Sequence, residues 1–243
     1  MPWVFFVIVG LVYGYFMVGS MLIVFRNWNW RKLPTAILIL GIVFFLAYSL
    51  NGVQAVRTHT GLWVLVYGTL RYFEARQLKY LFVILASPLF HFGYLVMMLP
   101  VLAVILIGNR QMVYVVMFSV SSLTTVINPD VVVETFSSTE IGAHRSRAYI
   151  TDQQSSWDQA ILRISAREDR FWNAYVRSGA LKWTLNLLVF TVIISGLCFV
   201  AFTNYQKQVF SAGLMMLTAS NSLWFLSELS GRSWRVGLIL VLA

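Results

Sequence analysis

Residues 80–108 read YLFVILASPLFHFGYLVMMLPVLAVILIG, 29 residues without a charged side chain. One transmembrane helix needs only about 20 apolar residues, so this stretch is too long for a single ordinary span. Pro88 lies inside it, removes a helix N–H donor and disfavours helical backbone at Ser87. Ser87 and His91 add polar groups around the proline. We therefore predict a broken element with its bend close to Pro88–Phe92, and not one straight helix.

The rest of the chain repeats long apolar runs that are separated by polar stretches. These runs cover Trp3–Phe25, Thr35–Leu50, Gly61–Phe73 (extendable back to Val56), Met112–Val126, Trp183–Phe202 and Gln208–Leu226. They are continuous, which is typical of membrane helices, whereas the strands of a membrane barrel alternate apolar and polar residues. Asn221, inside the last of these runs, is interpreted as a residue that hydrogen-bonds between helices.

Composition excludes an ordinary soluble domain. Hydrophobic residues make up 59% of the 243 residues and charged residues 11%, and the mean hydropathy is +0.75. A soluble chain carries about 25% charged residues. We predict an all-α polytopic membrane protein with about seven to eight hydrophobic segments, one of them broken or re-entrant. The net charge of +9 then indicates contact with anionic lipid, not nucleic acid.

One long polar region, residues 128–182, must lie outside the hydrocarbon. Apolar residues recur in it at helical spacing, which predicts an amphipathic helix that lies on the membrane or covers a cavity: Trp157, Ile161, Ile164, Phe171 and Tyr175. We treat residues 1–243 as one transmembrane domain with this loop attached. The last apolar stretch, Val236–Ala243, amounts to about 12 Å of helix, so we expect the chain to be part of a longer protein.

Two topologies compete, and residues 80–108 decide between them. If this stretch crosses the membrane once, the loops on the two sides carry net charges of +6 and +3. If it enters and returns to the same side, the charges are +7 and +2, which fits the enrichment of Lys and Arg on the cytoplasmic side better. The returning topology places Arg57, His91, the long loop, Arg232 and Arg235 on the outer face.

Those ionisable residues are the candidates for chemistry, because charged or titratable groups near membrane spans are costly. The planar guanidinium of arginine suits phosphate, and histidine can exchange a proton with a hydroxyl at neutral pH. Ordinary explanations remain for each group. The arginines could be interfacial anchors, and His91 could bond a backbone carbonyl that Pro88 leaves free. No soluble-enzyme motif or metal-ligand spacing is present.

Two segments carry a resemblance to a known family. Residues 51–63, NGVQAVRTHTGLW, and residues 79–92, KYLFVILASPLFHF, resemble in order and separation two segments of EpsG-type (Wzy-like) bacterial polysaccharide polymerases, the family of exopolysaccharide and O-antigen polymerases. Residues 229–232, LSGR, resemble more weakly a later Ser-Gly-Gly-Arg segment, with Arg232 at a glycine position. Either Arg232 or Arg235 would then correspond to the family arginine.

The resemblance implies a multi-pass glycosyltransferase of the bacterial inner membrane that uses neither metal nor other cofactor. It would join undecaprenyl-pyrophosphate-linked oligosaccharide repeats at the periplasmic face, with a flippase and a chain-length regulator as partners. His91 and Arg57 would be catalytic. Substrate binding would fall to Arg57, Arg232, Arg235, Asn51, Gln54 and His59. Two other functions stay open: a transporter or flippase for the same lipid-linked glycan, and a non-catalytic assembly subunit that tolerates substitution of these residues.

Overall fold

A computed structural model of the protein describes residues 2–27, 56–124, 186–196, 202–222 and 227–242. Every regular element in these ranges is an α-helix, which confirms the predicted all-α class. The second apolar run, residues 35–50, and the predicted amphipathic helix lie outside the described residues. The helices are α1 (Pro2–Asn27), α2 (Val56–Ala75), α3 (Leu78–Phe90), α4 (Tyr94–Ile107), α5 (Gln111–Thr124), α6 (residues 186–194), α7 (Asn204–Ser222) and α8 (Ser227–Leu242).

The long apolar stretch is broken, as its sequence predicts. Helix α3 ends at Phe90, α4 starts at Tyr94, and we call the three residues between them, His91–Gly93, the break segment. Pro88 itself lies within α3, near its end. It cannot donate to the carbonyl of Ile84, and the Ser87 hydroxyl donates to that carbonyl instead, at 2.8 Å. The chain therefore passes the proline and leaves the helix only at His91.

Helix α2 is the centre of the first compact unit, which comprises Met1–Ser121 and Cys198–Ala243. It contacts α1, α3, α4, α7 and α8, and its side chains from His59 to Tyr67 are buried. Glycines on α2 let its neighbours approach closely. A Cβ at Gly68 would lie 3.0 Å from the backbone nitrogen of Ile84 in α3. Close approach at small residues is the common packing mode of helices in lipid.

Helices α7 and α8 pack against each other in antiparallel fashion. A Cβ at Gly213 would lie 2.9 Å from the backbone nitrogen of Val241, while Gly237 lies against Leu217 further along α7. Helix α8 begins at Ser227 and not at the apolar run from Val236, so Arg232 and Arg235 lie within it and do not start it. The helix start predicted from the apolar run alone is wrong, because the polar residues that precede the run are helical too.

Large apolar side chains cover the outside of several helices. On α1, α3 and α5 they recur every three or four residues, as in Leu11, Tyr15, Val18 and Leu22, or Leu78, Phe82, Leu85 and Leu89. Among the described helices, α1 is the one whose length and composition suit a membrane crossing, over Val7–Asn27, and α3, α4 and α5 are apolar but shorter.

Polar side chains lie on the inside of the first unit. Ser20, Thr60, Thr69, Ser87 and Asn221 are all buried. The hydroxyls of Ser20 and Thr69 donate to carbonyls four residues earlier in their own helices, and Asn221 of α7 donates to the Ser121 hydroxyl of α5 at 3.5 Å. This last bond agrees with the interpretation of Asn221 as a bridge between helices. The second compact unit, Ser122–Leu197, contains α6, on which Leu187, Leu188 and Ile194 are exposed.

Candidate functional site

The break segment is fixed to the first turns of α2. Tyr94, the first residue of α4, is fully buried, and its hydroxyl donates to the carbonyl of Thr58 at 2.7 Å. The Tyr94 ring fills the space beside Gly61, where a Cβ would meet it at 2.6 Å. We call this end of the first unit, made by the first turns of α2 and the break segment, the break end. Arg57 is the second residue of α2, so its backbone belongs to the break end.

His91 has a defined orientation at the break end. Its Nδ1 accepts a hydrogen bond from the backbone N–H of Gly93 at 3.0 Å, and its ring meets the Tyr94 ring edge-on at 6.2 Å between centroids. The side chain is partly exposed. A neutral imidazole that accepts at Nδ1 carries its proton on Nε2, so Nε2 is a hydrogen-bond donor. This geometry suits His91 to positioning an oxygen better than to removing a proton.

The segments that carry the three candidate arginines belong to one end of the bundle. Arg76, after the end of α2, donates to Gln208 near the start of α7, so α7 starts at the opposite end from Arg57. Further along, Met215–Ala219 of α7 face Leu99–Ala103 of α4. Helix α8 then runs back along α7 and contacts α2. The first half of α8, with Arg232 and Arg235, therefore lies towards the break end.

The structure describes the side chains of only some of the other predicted site residues. Arg235 is partly exposed. His59, in the first turn of α2, is buried, with 7% of its surface exposed, and does not lie on an open surface. The side chains of Arg57 and Arg232, and the whole of Asn51 and Gln54, are outside the described residues, so their predicted roles stay predictions.

A shallow groove of about 290 Å³ lies between α4 and α7. Its lining is apolar apart from one hydroxyl and consists of Leu99, Pro100, Ala103, Met215, Thr218 and Ala219. The neighbouring surface of α4 is also apolar, with Leu95, Val96 and Leu99 exposed. A groove with these walls suits a hydrocarbon chain.

No protein-family model, curated protein or solved structure matches this chain. In the described part of the chain, no three His, Cys, Asp or Glu residues come close enough together to hold a metal ion.

Sequence reasoning did not anticipate a second polar cluster at the opposite end of α2. Arg26 of α1 and Arg71 of α2 both pair with the carboxylate of Glu74, the latter at 2.9 Å. Arg71 and Arg76 also lie over aromatic rings, with Arg71 5.7 Å from the centroid of Tyr67. Tyr205 lies at the start of α7, one turn before Gln208, which accepts a hydrogen bond from Arg76. One signal was available in the sequence: Glu74 is the only acidic residue among the first 129, so nearby arginines were bound to compete for it. We call this cluster the cationic end.

Burial changes the titration of Tyr205. It raises the pKa of the phenol well above its ordinary value, and the positive charges of Arg26 and Arg71 offset part of that rise. The phenol therefore remains a neutral hydrogen-bond donor at all physiological pH values.

Proposed function

We propose that the protein is a multi-pass protein of the bacterial inner membrane that polymerises undecaprenyl-pyrophosphate-linked oligosaccharide repeats at the periplasmic face. The observation that carries this proposal is the assembly at the break end. There His91, held in a donor orientation, lies beside the first turns of α2, which include the backbone of Arg57.

The distribution of side chains supports a membrane location. Bands of exposed Leu, Val and Phe on α1, α3, α4 and α5 would face water in a soluble protein, at a large cost in free energy. The buried hydroxyls of Ser20, Thr69 and Ser211 donate to carbonyls of their own helices, which is how hydroxyls are satisfied in lipid. The broken element fits too, because α3 and α4, at 13 and 14 residues, are each only about 20 Å long.

The two ends of α2 would lie at the two faces of the membrane. Its 20 residues make about 30 Å of helix, close to the thickness of the hydrocarbon core. The cationic end carries the excess of Lys and Arg that marks a cytoplasmic face. The break end then faces the periplasm, and the break segment lies below that surface. Non-helical backbone at such a depth is stable only where it lines a protein or water-filled cavity, which is where a sugar could enter.

The proposed reaction is a glycosyl transfer. A hydroxyl of the acceptor sugar forms a bond to the anomeric carbon of the donor, and the bond from that carbon to undecaprenyl pyrophosphate breaks. The hydroxyl proton passes to the departing pyrophosphate or to water. Negative charge grows on the pyrophosphate, so Arg57 and either Arg232 or Arg235 would stabilise the transition state more than the bound substrate. The Nε2–H of His91 would hold a substrate oxygen, and the groove between α4 and α7 would take part of the polyprenyl chain.

The test is polymer length on a gel, in cells that carry single variants at equal membrane abundance. Arg57→Lys keeps the charge but loses the planar fork of donors, so we expect shortened or absent polymer. An arginine that only anchors the helix would tolerate lysine. Long polymer from Arg57→Lys, together with long polymer from the double variant Arg232→Lys, Arg235→Lys, would refute the proposal. Lipid-linked repeats that accumulate on the periplasmic side in the impaired variants would separate polymerisation from transport, because a flippase defect leaves them inside.

A further inference from the structure

The cationic end contains more hydrogen-bond donors than the protein itself satisfies. Arg26, Arg71 and Arg76 gather there, with Lys79 and Lys207 at the starts of the adjoining helices α3 and α7. In the described residues, Glu74 is the only acidic side chain at this end, and two arginines share it. Among the described residues, the three arginines therefore outnumber their one acidic partner.

Two donors in this cluster are buried and lack an acceptor. They are the hydroxyl of Tyr205 and the Nε–H of Arg71. A buried donor without a partner costs about 1–3 kcal/mol, so proteins rarely leave one unless a ligand or water fills the place. Arg76, just past the end of α2, donates to Gln208 near the start of α7, so the helix ends that carry Arg71 and Tyr205 adjoin each other. Both unpaired donors therefore belong to the cationic end.

The chemistry of that acceptor follows from the donors. The positive charge around these donors favours an anion, and two unpaired donors beside further guanidinium nitrogens favour a group with several acceptor oxygens. A phosphate group meets both requirements. A carboxylate ligand offers only two acceptor oxygens, as Glu74 does, and a phosphate offers more.

We infer that the cationic end is a binding site for the phosphate of an anionic lipid headgroup, held by Arg26, Arg71 and Tyr205. Exposed apolar side chains of α1, such as Leu22, lead up to the site, so an acyl chain could lie along the helix while its phosphate reaches the cluster. A free phosphate ion has the same headgroup chemistry and is distinguished by experiment. This site lies at the opposite end of α2 from the proposed polymerase site and does not depend on it.

The experiment measures thermal unfolding of the purified protein in detergent micelles, followed by tryptophan fluorescence. One arm adds phosphatidylglycerol, a second adds the same amount of phosphatidylcholine, and a third adds inorganic phosphate against chloride at matched ionic strength. At about ten times the dissociation constant, mass action predicts that a bound anion raises the Tm by roughly 3–6 °C. Polymer synthesis is not measured, so the result is independent of the proposed function.

Two variants and a matched control decide whether this site is responsible. Tyr205→Phe removes the buried hydroxyl, and Arg71→Lys removes the Nε–H while it keeps the charge. Tyr72→Phe is the control, because Tyr72 also contacts an arginine of this end, Arg76, through its ring. We expect phosphatidylglycerol to raise the Tm of the wild type and of Tyr72→Phe, and to lose at least half of that effect in Tyr205→Phe and Arg71→Lys.

Tyr205→Phe also makes a prediction without lipid. Because its hydroxyl has no acceptor when the site is empty, the variant should be as stable as the wild type, or more stable, in plain detergent. A Tm rise with inorganic phosphate that both variants abolish would support the site and identify a free ion as its source. Equal Tm values with phosphatidylglycerol and phosphatidylcholine, with no phosphate effect, would overturn the inference. So would an anion effect that Tyr205→Phe leaves intact.

Discussion

The two ends of α2 differ in how their polar groups are satisfied. At the break end the polar contacts hold an interruption of the chain: Tyr94 bonds to the carbonyl of Thr58, and His91 receives the N–H of Gly93. At the cationic end they are ion pairs between side chains, in which Arg26 and Arg71 share Glu74. At the break end the contacts involve backbone groups in fixed positions. At the cationic end they involve long, partly exposed side chains.

This difference indicates different tasks. Groups that must act on a reacting substrate need fixed positions, which buried backbone contacts provide. Long cationic side chains at the end of a helix tolerate movement and suit a lipid headgroup or an interface. Substitutions at the break end should therefore have larger effects than substitutions at the cationic end.

His91 should show the largest effect on function. His91→Ala removes the Nε2–H donor, and loss of one such donor in an active site commonly costs about 10²-fold or more in rate. His91→Gln places an amide N–H close to the Nε2 position, so it should recover a large part of the lost polymer length. The measurement is the polymer gel at equal membrane abundance. If His91 were a general base, the glutamine variant would be as defective as the alanine variant.

Gly61 should show the largest effect on stability. A Cβ at this position would lie 2.6 Å from the ring of Tyr94, which is fully buried and anchored through its hydroxyl, so the ring cannot move away cheaply. Gly61→Ala should lower the free energy of unfolding by about 1–3 kcal/mol. Gly10→Ala in α1 is the control, because nothing lies within 4 Å of its Cβ position. Similar Tm values for both variants would contradict the close packing at the break end.

Ser87 should show an effect on stability in the same range as Gly61. Ser87→Ala leaves the carbonyl of Ile84 without a donor, because Pro88 cannot supply one, and an unsatisfied buried acceptor costs about 1–3 kcal/mol. Ser119→Ala is the matched control. Its hydroxyl donates to the carbonyl of Val115, four residues earlier in α5, which the backbone N–H of Ser119 can serve as well. Thermal unfolding should show a clear loss for the first variant and almost none for the second.

Glu74 should show the smallest effect, although it joins two arginines. The side chains of Arg26, Arg71 and Glu74 are 60%, 32% and 26% exposed, and ion pairs of this kind contribute about 0–1 kcal/mol. Glu74→Gln should lower the Tm slightly at low salt and less at high salt, since salt screens exposed charges. A salt-independent loss as large as that of Gly61→Ala would mean that the cationic end is as rigid as the break end.

Local signals made part of this architecture predictable. Pro88 with its polar neighbours marked the break, and the apolar runs marked the helices. The start of α7 at Asn204 and of α8 at Ser227 were missed, because helix extends into polar residues where no apolar run shows it. Tyr205 could not be assigned to a site, since Arg26 and Arg71, whose charges act on its phenol, lie more than 100 residues away in the chain. The donor orientation of His91 depends on one backbone contact that no sequence pattern reveals.

The central claim is that α3 and α4 turn back at the break segment, so that the break end and the cationic end face opposite sides of the membrane. Single cysteines test it directly in a Cys198→Ser background, at the exposed positions Gln77→Cys, Phe92→Cys and Asn109→Cys. In cells with a permeable outer membrane, a membrane-impermeant maleimide should label Phe92→Cys. It should label Gln77→Cys and Asn109→Cys only after the inner membrane is broken. Labelling of Asn109→Cys in cells with an intact inner membrane would contradict the claim, because residues 78–107 would then cross the membrane once.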